Sequence, residues 1–339
     1  LCLAARPAAA AMLAAAVQSD AVDYWSTRDL SFIGGGEKYA RTRAICAAVS
    51  DAQPAAADIP SPSERKALEG CDSEALYFGF GVPMDRAKAR KCAVAERGHT
   101  EYTLALHHGA GLLAMAYANG EGGPKNLAVA IHMACQMEDA PAAMDARIEH
   151  LDDIRSGKAE GGSFDTCDDI TSGASGGVCA QFAARRSQQD RQPEIARLKR
   201  GWTDAQAEAF DRAYEAFRAY ADAEHEMDCF RGTAQAACNI SGREYEIERF
   251  LDRIAALKVG APFAKDDEQE LGIPNPAINP TAWRKMVADM DSDTRAFYER
   301  NRDEILDKRA TFERALVRFV TSTFPAMTAH ETRVRFSDL

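Results

Sequence analysis

The chain has 339 residues, of which 46% are hydrophobic and 27% charged, enough apolar content to bury the cores of two domains. Its 52 acidic residues outnumber 41 basic ones, and the net charge of -11 repels nucleic acid and anionic lipid while favouring cationic partners. Nucleic acid is therefore not an expected partner.

Residues Leu1 to Val17 are alanine-rich and apolar, interrupted only by Arg6-Pro7. They read as the trailing part of a signal peptide, with Ala14-Ala15-Ala16 near a cleavage point, or as a plain alanine-rich helix; residues 1–19 are taken as the leader. The cysteines after Cys2 are Cys46, Cys71, Cys92, Cys135, Cys167, Cys179, Cys229 and Cys238. None forms a CxxC pair and no Cys/His group has zinc-finger spacing, so no metal is expected. Cys167 to Cys179 and Cys229 to Cys238 each bracket a short turn-rich loop that a crosslink would close. The two readings are disulfides formed after export, in the periplasm or outside the cell, and buried thiols in a reducing one.

In chain order, Asp20 to Val49 reads as helix broken at Gly34-Gly35-Gly36, and Pro54 to Pro62 as a connector. A helix capped by Ser63 stops at Gly70. Residues 71–137 then contain a repeat. Gly79, Gly81, Asp85 and Ala89 recur at Gly120, Gly122, Asn126 and Ala130, a constant offset of 41. Each copy reads as two short antiparallel helices joined by a Gly-x-Gly turn, with Asp85 or Asn126 capping the second helix. Helices at 38–50 and 143–155 must cover the ends, because two repeats cannot bury a core alone. Cys46, Cys71, Cys92 and Cys135 lie in this region, and two disulfides among them allow three pairings.

The repeat resembles the Sel-1-like class, related to tetratricopeptide repeats, which implies an interaction scaffold. Ala114 and Gly123 stand where that class has Gly and Val.

Gly157 to Ser163 reads as a polar joint between a domain at 20–156 and a second at 164–330. The second opens on Asp165-Thr166-Cys167-Asp168-Asp169 and a glycine-rich turn to Cys179. Ala180 to Arg200 reads as two helical pieces divided by Pro193. A Thr203/Gln206 capping box leads into Phe210, Tyr214, Phe217 and Ala221, one apolar helical face. A second box, Ser241/Glu244, leads to a stop at Gly260. Asp266 to Pro280 reads as loop, and a last helix runs from about Asp293 to Thr323. No alternating strand pattern appears, so the expected fold is all-α: a short helical-repeat array followed by a helical bundle.

The order of elements from 165 to 325 resembles the bacterial LprI-type lysozyme-inhibitor family, with Cys167 and Cys179 at its cysteine pair and Asp190 near its acidic position. That resemblance implies an exported, non-catalytic binder of a cationic lysozyme. Asp168 and Asp169 are the candidate partner-binding residues, with charge stabilisation at a helix N-terminus as the alternative. His107-His108 has no evident further metal ligand. Glu224, His225, Glu226 and Asp228 are a possible cation group or a solvated face, and Asn239-Ile240-Ser241 fits a glycosylation triplet or a helix cap. Trp202, Tyr214, Phe217 and Phe312 read as core. No catalytic fingerprint is present and no cofactor is expected.

Overall fold

Many helix boundaries follow side chains that satisfy the first free amides of the helix, as at Ser61, Asp72, Asp85, Asn126, Thr203, Asn279, Asp291 and Thr328. The computed structural model describes residues 24–29, 36–97, 106–159, 162–226, 232–263 and 275–339. Residues 1–19, expected to be a leader, Cys2, Gly34-Gly35, Asp228, Cys229 and most of the expected loop at 266–280 lie outside the described residues. Within them the chain is all-α, with no strand and no helix long and apolar enough to cross a membrane. It divides into two compact units, Leu1–Val178 and Cys179–Leu339.

In the first unit, α1 (Tyr24–Thr27), α2 (Ala40–Ala48) and α3 (Pro62–Ala67) precede the repeat. The cap of α3 is Ser61 rather than Ser63: Pro62 takes the first helical position and Ser61 forms a capping box with Glu64. The repeat comprises α4 (Ser73–Phe78), α5 (Arg86–Glu96), α6 (Gly109–Asn119) and α7 (Leu127–Cys135), closed by α8 (Pro141–Ser156). The offset of 41 persists in the hydrogen bonds. Asp85 N donates to Leu76 O and Asn126 N to Tyr117 O, while the Asp85 and Asn126 carboxamide or carboxylate oxygens accept from Lys88 N and Val129 N. Ala89 and Ala130 are both fully buried. Gly81 and Gly122 share left-handed φ values of 69° and 73°.

A small residue at Gly123 makes room for a buried cation. A Cβ there would come within 2.5 Å of Arg90 Nη1. Arg90 is fully buried, stacks 3.8 Å from the Tyr117 ring centroid and pairs with Asp58 at 2.6 Å, and the Tyr117 hydroxyl donates to the same carboxylate. The four cysteines of this unit pair in nested fashion, Cys46 with Cys135 and Cys71 with Cys92. Cys167, Cys179 and Cys238 are also disulfide-bonded. Such bonds point to an oxidising environment.

Residues 164–178 belong to the first unit, so the division falls after the joint at 157–163 expected from glycine content. Phe164 is buried, its N–H donates to Asn119 Oδ1 at 2.8 Å, and Asn119 Nδ2 donates back to its carbonyl at 2.9 Å. The glycine-rich stretch is not a turn but the start of α9 (Gly173–Leu198), which runs through the point of division. Ser172 caps it by accepting from Ser175 N, offsetting the roughly 1 kcal/mol each interior glycine costs. Pro193 lies inside α9 and does not split it, and Gln192 Nε2 donates to the Gln188 carbonyl beside it.

The second unit adds α10 (Asp204–His225), α11 (Gln235–Val259), α12 (Pro280–Ala288), α13 (Ser292–Thr323) and α14 (Ala329–Arg335). The Thr203/Gln206 box caps α10. Ser241 is no cap: α11 has already begun at Gln235, and Glu244 instead meets Arg191 and Arg243. Phe217, Phe250 and Phe312 form the centre of the core, with Phe217 ring centroids 4.6 and 4.8 Å from the other two. Two helices escape the sequence reading. Asn279 caps α12 with Pro280 at its first position, and a Thr328/Glu331 box starts α14. The unit also extends past residue 330, because Phe336 and Leu339 are buried and Arg253 Nη1 and Nη2 each lie 2.6 Å from the Asp338 carboxylate.

Candidate functional site

The segment Asp165–Asp169 packs onto the repeat through polar groups. Thr166, fully buried, donates its hydroxyl to the Leu106 carbonyl at 2.8 Å, and Arg147 Nη2 donates to the Thr166 carbonyl at 3.3 Å. Arg147 and Asp139 form an ion pair of 2.9 Å whose side chains are both fully buried, and the other Asp139 oxygen accepts from Ser175 Oγ at 2.7 Å. Both Asp139 oxygens are thereby satisfied, by Arg147 and by Ser175 Oγ with the Ala140 amide, which makes the buried carboxylate tolerable.

Beside this joint the repeat gathers a histidine–carboxylate cluster. His107 lies 3.1 Å from Asp165 through Nε2 and 3.6 Å from Glu74 through Nδ1. His108 Nε2 is 3.6 Å from the other Glu74 oxygen, and its Nδ1 is 3.8 Å from both Asp72 and Glu96. Glu74 is 2% exposed. Glu96, at the end of α5, accepts from Ser73 N at 2.9 Å and Gly109 N at 3.0 Å, so one carboxylate neutralises the positive N-terminal ends of α4 and α6.

The charges follow from these contacts. Burial disfavours ionised Glu96, but His108, the Ser73 hydroxyl and the Ser73 and Gly109 amides override it and lower its pKa. Burial likewise opposes charge on His108, and Glu96, Glu74 and Asp72 together raise its pKa. Asp165 is lowered against its own burial by His107 and the Cys167 amide.

Among the described residues, three sets of side chains bring ligand atoms within 4.8 Å of one another: Asp72, Glu74 and His108; His107, Asp165 and Cys167; and Cys71, Cys92 and Glu96. The cysteines of the last two sets are in disulfides and present no thiolate. Asp72, Glu74 and His108 remain as two carboxylates and an imidazole. The expectation that His107-His108 has no further ligand nearby is thus corrected: adjacent histidines face different ways on a helix, but these two precede α6 and both turn toward Glu74.

The candidate partner-binding aspartates have local tasks. Asp168 is exposed and accepts from the Asp165 amide at 3.0 Å, and Asp169 pairs with His150 at 2.9 Å. Neither sits at a helix N-terminus, since α9 begins only at Gly173. Glu224 accepts from Asn275 Nδ2, and Asn239, inside α11, donates to the Glu226 carbonyl at 3.1 Å. Phe217 and Phe312 are fully buried, and Trp202 and Tyr214 pack against the same core.

One surface feature separates the two repeats. The turn of the first carries Val82 and Met84, 41% and 53% exposed, whereas the second has Gly123-Pro124-Lys125 in the corresponding region, with Gly123 against Arg90. Solvent-facing valine and methionine beside the acidic Asp85 form an apolar tip with a negative neighbour. No protein-family model, no curated protein and no solved structure matches the chain.

Proposed function

We propose that this is an exported, non-catalytic protein that binds another protein through its repeat unit, in the manner of a lysozyme inhibitor of LprI type. The observation that carries the reading is the Val82–Met84 tip, an apolar contact point held on a frame braced by two nested disulfides. The net charge of -11 commits the partner to a cationic protein, and a cell-wall-acting enzyme such as lysozyme has that character. Disulfides and the apolar residues 1–17 support a periplasmic or secreted location. The described histidines of the first unit support a non-catalytic role: His107 and His108 are engaged by carboxylates, His150 by Asp169, and His132 by the Ala52 carbonyl and Gln136. The cluster then acts as a structural joint.

Oxidised protein mixed with lysozyme tests this directly. Slowed cell-wall lysis, with loss of inhibition in Val82→Ser/Met84→Ser, is the expected result. Undiminished lysis at large molar excess, with no measurable binding, removes lysozyme as the partner. A second reading, an envelope scaffold, rests on the same tip. It requires a partner that follows residues 20–178 and not 179–339 when the two units are made separately for pull-down.

A further inference from the structure

Helices α10 and α13 run antiparallel, with Phe210 against Phe319, Phe217 against Phe312 and the Tyr220 hydroxyl 3.3 Å from Arg309 Nη1. Gln206 Nε2 donates to the Ser322 carbonyl at 3.1 Å and fixes the same register at the far end. Along this pair the small side chains of Ala209 and Ala315 leave a groove of about 270 Å3. Its other walls are Arg212 of α10 and Thr311, Arg314 and Arg318 of α13. Positions 311, 314, 315 and 318 share one helical face by their spacing of three and four.

Three guanidiniums around one groove stand out in a chain of net charge -11. Arg314 and Arg318, four apart, repel each other, and Arg212 faces them from the opposite helix. Among the described residues, the one carboxylate that pairs with any of the three is Glu208, 3.5 Å from Arg212, with both side chains more than half exposed. Such a pair is weak. Arg314 Nη2 donates to Thr311 Oγ1 at 3.0 Å, which fixes the guanidinium at the groove and leaves the threonine hydroxyl proton to donate elsewhere. Arg318 makes no ion pair or hydrogen bond with any described residue.

We infer that this groove binds a phosphate group, free or carried on a lipid. A phosphate is dianionic or nearly so near neutral pH and offers several acceptor oxygens. Guanidiniums meet such oxygens in bidentate fashion, and a dianion relieves the repulsion between Arg314 and Arg318. The alanine floor excludes no oxygen by bulk, and the volume holds a phosphate together with part of the molecule that bears it.

Calorimetry of the full-length oxidised protein tests the inference, with inorganic phosphate in one arm and phosphatidylcholine vesicles containing phosphatidic acid in the other. Wild type is expected to bind in at least one arm. Arg314→Gln/Arg318→Gln and Arg212→Gln are each expected to weaken that binding about tenfold or more, since each removes a charge-assisted contact. Arg300→Gln, an exposed arginine of α13 outside the groove, is expected to bind as wild type. The substituted side chains are exposed, and an unchanged melting transition verifies each fold. Binding to free phosphate assigns a soluble ligand, and binding to the vesicles alone assigns a lipid headgroup. No binding in either arm, or equal binding by the groove variants, overturns the inference.

Discussion

Removing each disulfide of the first unit should cost stability that rises with the logarithm of the loop it closes, and the nested arrangement makes the comparison internal to one core. Cys46–Cys135 spans 89 positions and Cys71–Cys92 spans 21. Loop-closure entropy at 25 °C then gives about 4.6 kcal/mol for the outer bond and about 3.4 kcal/mol for the inner one. The inner bond shortens the effective outer loop to roughly 70 residues, which lowers the outer figure only to about 4.4 kcal/mol. Cys46, Cys92 and Cys135 are fully buried and Cys71 is half-buried, so truncation to alanine removes somewhat more packing from the outer pair, in the same direction as the loop entropy. Cys46→Ala/Cys135→Ala should therefore lose about 1 kcal/mol more than Cys71→Ala/Cys92→Ala. Hydrogen exchange of peptides from α6 and α7 during urea titration reports this unit apart from the other. A larger loss from the inner pair would refute the entropic account and point to strain or residual structure in the unfolded chain instead.

Further expectations follow from single sites. Gly81 and Gly122 share one repeat position and a left-handed backbone, yet a Cβ at 122 would lie 2.4 Å from the Arg86 carbonyl oxygen while one at 81 meets nothing within 4 Å. Gly81→Ala should cost about 1–2 kcal/mol and Gly122→Ala visibly more, and equal urea midpoints would contradict the structure. The Glu96–His108 contact predicts a stability maximum in pH. Glu96 is lowered, so its contribution holds above its unfolded pKa and is lost as pH falls through the folded value; His108 is raised, so its contribution holds below its unfolded pKa and is lost as pH rises through the folded value. The destabilisation by His108→Gln should thus be largest between the ordinary carboxylate and imidazole values of about 4.3 and 6.5 and shrink as pH rises beyond the ordinary imidazole range, and a constant difference would dismiss the coupling. Phe336→Ala, in a fully packed site beside Phe250, should cost the second unit about 3–5 kcal/mol by calorimetry, and a loss under about 1 kcal/mol would mean the final residues do not belong to its core.

Much of the helical architecture is legible because it is written in local chemistry. The offset of 41 survives from residue types to matched hydrogen bonds, since Asp85 and Asn126 cap by side-chain reach and need no distant partner. The Thr203/Gln206 box and the Gly260 stop are equally local. The same local rules mislead where a longer element overrides them. Gly173, Gly176 and Gly177 read as turn, yet Ser172 caps a helix through them. Pro193 reads as a break, yet α9 continues through it, and Ser241 sits where a cap belongs, yet α11 started two turns earlier. In each case the residue lowers helix propensity by an amount that tertiary packing exceeds. The Thr328/Glu331 box shows the opposite failure, a local signal present in the sequence and passed over at the end of an apparently finished domain.

The candidate sites were illegible for a different reason, which is that both are assembled across sequence distance. Glu74 and His108 are 34 positions apart, Glu96 reaches forward to Gly109 and back to Ser73, and Asp165 arrives from beyond the whole repeat. Adjacent histidines carry no geometric information until the loop that holds them is placed, so spacing alone left His107-His108 without partners. The arginine groove is split in the same way: Arg314 and Arg318 share a helical face, but Arg212 joins them only because α10 returns antiparallel to α13. Net charge concealed it further. An average of -11 describes what the chain repels at a distance, whereas a groove a few ångströms wide is governed by the three guanidiniums that line it, because contacts shorter than the Debye length are barely screened by salt while more distant charges largely are. An acidic protein can therefore attract a cationic partner at long range through its net charge and an anionic group at short range through this groove.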